Sequence, residues 1–70
     1  MSKKQFTFSG LTFEIIASEQ RGDRQEFRVK QVGSYEKAAI GEWNHSLKIW
    51  TKQPGNARFN NAITEAAGLK

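Results

Sequence analysis

The side chains of this 70-residue chain that could do chemistry are one histidine, seven carboxylates, eleven lysines and arginines, two tryptophans, five phenylalanines and one tyrosine. Catalysis needs a base oriented by a second group against a nucleophile or substrate. His45 has Ser46 as its neighbour, but adjacent residues of a strand point to opposite faces and a triad is a spatial arrangement, so His45 reads as a turn residue. Glu14, Glu19, Asp23, Glu26, Glu36, Glu42 and Glu65 are scattered, with no spacing that suggests a carboxylate dyad or a calcium loop. One histidine and no cysteine leave no metal-ligand set. Gly41, Gly55 and Gly68 do not form a phosphate loop. A non-enzyme without metal or cofactor is expected.

The remaining chemistry is that of a binding surface. Single-stranded bases stack on exposed rings while Lys and Arg follow the phosphates, and an open antiparallel sheet offers a platform for both. Arg24, Arg28, Lys30, Trp43, Lys48, Trp50, Lys52 and Arg58 are the residues expected to bind nucleic acid, with Arg21 extending the patch. Against this, tryptophans in so small a chain are more often core than platform, and basic residues opposite a core are what any solvated strand shows. The turn from Lys52 to Arg58 could receive a phosphate on its backbone N–H groups or be only a strand-to-helix turn.

These side chains need elements to hold them. The first apolar segment, 5–17, changes parity at Ser9-Gly10: Phe6 and Phe8 are even, Leu11, Phe13 and Ile15 odd. A bulged long strand, or two short strands joined there, puts all five into one core. Residues 18–25 read as a hairpin loop, and Glu26 to Val32 alternates as a strand with Phe27 and Val29 on one face and Arg24, Arg28 and Lys30 on the other. Residues 35–44 fit a helix capped by Ser34 or a strand, and the strand is preferred because Gly41 would cost a helix interior about 1 kcal/mol. An Asn44-His45 turn then sets Trp43 against Ser46, Ile40 against Ile49 and Ala39 against Trp50, with Ile40, Leu47 and Ile49 inward and Trp43, Lys48 and Trp50 outward. After the Pro54-Gly55 turn, Phe59, Ala62, Ile63 and Ala66 mark a helix over 57–67, capped by Asn56 and ended by Gly68.

The expected fold is α+β: a four-stranded antiparallel sheet backed by one C-terminal helix, ββββα, or ββαβα if 35–44 is helical. Length restricts residues 1–70 to a single small domain, and pairing of two copies would enlarge a core that one narrow helix covers thinly. Without cysteine, an apolar leader or a membrane-length apolar run, a cytoplasmic protein that does not enter membranes is expected. The net charge of +4 and pI near 9.8 suit a polyanionic partner. The ββββα order, ending in Phe59-Asn-Asn-Ala-Ile63, resembles small single-stranded nucleic-acid-binding modules of the PC4-like and PUR-repeat kind. That resemblance implies a curved sheet backed by a helix and paired copies. Lys48 to Gly55 is similar to the strand and loop of H-NS-type AT-rich DNA binders, with Pro54-Gly55 where that family has Gly-Arg. Nucleic-acid binding through a basic, aromatic sheet face, single strands favoured, is thus the first expectation. The alternative is a protein-interaction module, a mobile-element-type inhibitor or adaptor that docks on a larger host protein.

Overall fold

A computed structural model describes residues 3–69. Five strands, β1 (Lys3–Phe8), β2 (Leu11–Ala17), β3 (Arg24–Gln31), β4 (Ala39–Asn44) and β5 (Ile49–Lys52), precede one helix, α1 (Ala57–Ala67). They form one antiparallel meander in the order β1-β2-β3-β4-β5. The architecture is α+β with a C-terminal helix, and the expected four strands become five. The extra strand comes from Ser9-Gly10. Both residues have positive φ (52° and 76°), so the chain reverses in a two-residue turn of the mirror-image kind that suits strand twist. Phe6 then pairs with Phe13 and Phe8 with Leu11, which explains the parity change without a bulge.

Register places Phe13, Ile15, Phe27, Val29 and Trp43 on one face, and α1 packs there. Ile15, Phe27, Val29, Trp43 and Ile63 are fully buried, with Phe6, Phe13, Trp50, Phe59 and Leu69 packed around them. Phe59 meets Phe6, Phe8 and Phe13 at centroid distances of 5.1 to 5.9 Å. Leu11, placed in this core by its alternation, is 44% exposed at the hairpin end.

The helix follows its sequence signals closely. Asn56 Oδ1 accepts from Phe59 N (2.9 Å), and Gly68, at φ 71°, ends the helix with its own N–H on Glu65 O and that of Leu69 on Thr64 O. Its apolar stripe also hides two polar residues. Asn60 clamps the backbone of Gly55 from both sides, Oδ1 accepting from Gly55 N (2.9 Å) and Nδ2 donating to Gly55 O (3.1 Å). Replacing Asn60 by Ala removes both hydrogen bonds and leaves a gap at a buried position, and is expected to cost about 1–3 kcal/mol, read as a lowered urea midpoint. A loss under about 0.5 kcal/mol would show that water replaces the clamp.

Residues 39–44 form a strand, so the helical alternative for 35–44 falls away. The next turn is longer than Asn44-His45. Asn44 pairs with Ile49 across a four-residue loop, in which Asn44 Oδ1 accepts from Leu47 N and Lys48 takes a positive φ of 56°. The facing pairs therefore become Asn44 with Ile49 and Trp43 with Trp50, in place of Trp43 with Ser46, Ile40 with Ile49 and Ala39 with Trp50.

Candidate binding surface

The surface follows from which way β4 and β5 face. Trp43 and Trp50 do share a face, but it is the core face. Trp43 is 1% exposed and Trp50 half-buried, their rings T-shaped at 5.1 Å, with Phe27 edge-on to Trp50 at 5.8 Å. The expected assignment of Ile40, Leu47 and Ile49 to the core is thus reversed, and all three are exposed. Area decides the direction. An indole buries 150–250 Å², worth roughly 4–6 kcal/mol at about 25 cal/mol per Å², whereas an isoleucine contributes about 1.5–3 kcal/mol. Gly41 completes the fit, since a Cβ there would lie 2.7 Å from Pro54 Cδ, so the β5–α1 connection closes against bare backbone beside Trp43. Neither indole Nε1 has a hydrogen-bond partner.

The opposite face carries Ile16, Arg28 and Ile40 in one lateral row, because Ile16 pairs with Arg28 and Arg28 with Ile40. The row toward the β2–β3 hairpin holds Glu26, Glu42 and Lys52, and the row beyond it Arg24, Asn44 and Ile49. Toward the other end lie Glu14 and Lys30. Arg28 Nε sits 3.3 Å from Glu26 Oε1, and Glu42 Oε1 accepts from Thr51 Oγ1 at 2.9 Å. Arg21 faces Arg24 across the Gly22-Asp23 turn, on the rim of a cleft of about 700 Å³ that Ser18, Glu19, Glu26 and Glu42 also line. The surface mixes charge of both signs with aliphatic side chains.

No protein-family model, curated protein or solved structure matches this chain. Its function must therefore be argued from placement. Of the eight residues expected to bind nucleic acid, Arg24, Arg28, Lys30 and Lys52 come together on the uncovered face. Lys48 lies in the β4–β5 loop, Arg58 is exposed on α1 across the sheet, and the two tryptophans are in the core. The Lys52–Arg58 turn is occupied by its own contacts: the Asn56 cap takes one helix N–H, and Asn60 takes that of Gly55.

His45 is a tie within the fold. Its N–H donates to Asp23 O (2.7 Å) and its Nε2 to Gln25 Oε1 (2.8 Å), which fixes the β4–β5 loop to the start of β3. Among the described residues, no group of three or more His, Asp or Glu side chains could hold a metal. No helix of the described residues is long and apolar enough to cross a membrane.

Sequence reasoning placed Ile40 and Ile49 in the core and gave Tyr35 no part in binding, yet all three are exposed. Tyr35 projects fully into solvent from the β3–β4 loop, where Ser34 Oγ accepts from Glu36 N (3.1 Å), beside a groove of about 380 Å³ lined by Lys30 and Val32. Tyr35 fits a helical spacing with Ala38, Ala39, Glu42 and Trp43, but residues 39–44 are a strand, so no helix carries its ring to the core.

Proposed function

We propose that this protein is a non-catalytic interaction module that docks on another protein through the sheet face opposite α1. The observation that carries this reading is the composition of that face. Ile16, Ile40 and Ile49 stand in rows where Arg24, Arg28, Lys30 and Lys52 alternate with Glu14, Glu26 and Glu42, and both indoles are turned inward. A protein partner with complementary charges matches such a surface, since aliphatic contacts give affinity and paired charges set orientation. A polyanion meets three carboxylates there and no tryptophan to stack on.

A second reading, nucleic-acid binding with single strands favoured, is supported by the four cations that share the face and by the exposed ring of Tyr35 at its end. Two measurements separate the readings. In nuclease-treated extract, the wild-type protein is expected to retain a partner that an Ile40→Asp/Ile49→Asp variant of unchanged circular dichroism loses. Oligonucleotide anisotropy at low salt is expected to show no binding in the micromolar range. Salt-sensitive micromolar binding that Arg28→Glu/Lys30→Glu abolishes would reject protein docking and establish the second reading.

A further inference from the structure

The two edges of the sheet are treated differently. β5 is four residues long, its pairing with β4 is broken by a register shift between Glu42 and Trp43, and Pro54 follows it closely. Short length, a bulge and a nearby proline are usual ways of closing an edge to further pairing. β1 is six residues long and pairs with β2 without interruption or proline, its two lysines, Lys3 and Lys4, both standing at its first positions. Because the two-residue turn makes Phe8 and Leu11 a hydrogen-bonded pair, Lys4, Phe6 and Phe8 bond toward β2. Gln5 and Thr7 then aim their N–H and C=O groups outward. Phe6, Phe8, Phe13 and Phe59 meet beside this edge, and each is only half-buried.

We propose that β1 pairs with β1 of a second copy, giving a continuous ten-stranded antiparallel sheet about a two-fold axis normal to it. Gln5 exchanges hydrogen bonds with the second copy's Thr7, Phe6 meets the second copy's Phe6, and Lys4 lies against the second copy's Phe8. This register keeps core residues on the core side of both copies, because paired residues share parity. The helix specifies the occupant. α1 runs closest to β1 among the strands, so the two-fold axis brings it beside the second copy's α1 in antiparallel orientation. Arg58 and Glu65 are both exposed and seven residues apart, hence on one stripe. Antiparallel pairing sets Arg58 of each copy against Glu65 of the other, an isologous match that no unrelated helix needs to have. This surface lies at one margin of the sheet, apart from the docking face proposed above.

Sedimentation of the purified protein from micromolar to millimolar concentration tests the proposal. The wild type is expected to dimerise reversibly. Gln5→Pro removes an outward N–H and no ladder bond, and is expected to weaken dimerisation at least about tenfold while circular dichroism is unchanged. Should that variant misfold, the helix pair decides: Arg58→Glu and Glu65→Arg each weaken self-association, and an equimolar mixture of the two restores it. A wild type that stays monomeric to millimolar concentration, a folded Gln5→Pro variant with the wild-type constant, or a mixture that associates no better than its components would overturn the proposal.

Discussion

Trp43→Ala is expected to remove about half of the protein's stability. Trp43 is 1% exposed, packs edge-on against Trp50, and neighbours the site where Pro54 rests on Gly41. Truncating a buried tryptophan to alanine costs about 3–5 kcal/mol. At roughly 0.05–0.15 kcal/mol per residue, a chain of this length has only about 4–10 kcal/mol of stability to lose. Trp43→Phe retains a ring and removes an indole N–H that has no partner, so its cost is expected to be much smaller, about 1–2 kcal/mol. Urea unfolding followed by far-ultraviolet circular dichroism measures both. A Trp43→Ala protein within about 1 kcal/mol of the wild type would mean that the ring faces solvent.

Ile63→Ala is expected to have the next largest effect, about 2–5 kcal/mol. Ile63 is the α1 side chain with no exposed surface, and it joins Ile15, Phe27, Val29 and Trp43 in the buried cluster. The helix is only 11 residues long and would be marginal by itself, so this contact carries much of its attachment to the sheet. The urea midpoint should fall with little change of slope, whereas Asn61→Ala, on the exposed side of the same helix, should leave it within about 0.5 kcal/mol. Equal effects at the two positions would contradict the packing described.

The helix was legible because its signals are local: an Asn cap, a 3–4 spacing of apolar residues and a glycine stop all lie within a dozen positions. β3 was legible for a related reason, since Phe27 and Val29 alternate with Arg28 and Lys30. The direction of β4 and β5 was not. Alternation shows which residues share a face, and it grouped Trp43 with Trp50, but it does not say which face is covered. That choice depends on the space beneath α1 and the β5–α1 connection, where two indoles and Pro54 fill what Ile40 and Ile49 would not. The four-residue loop was hidden because Lys48 takes a left-handed conformation without being Gly, Asn or Asp. Asn60 was hidden because a buried polar residue on a helix announces itself only through the Gly55 backbone that it clamps.

The position of the tryptophans is also what separates the two proposed functions of the sheet. With both rings inward, the open face offers aliphatic side chains and charges of both signs, the composition on which the proposed docking to a protein rests. Turned outward, they would make it a stacking platform. Tryptophan emission with acrylamide quenching distinguishes the two most directly. The account predicts blue-shifted emission in the native protein, quenching far weaker than in urea, and no change when a single-stranded oligonucleotide is added. Red-shifted native emission, quenched as readily as in the unfolded chain and altered by the oligonucleotide, would contradict it.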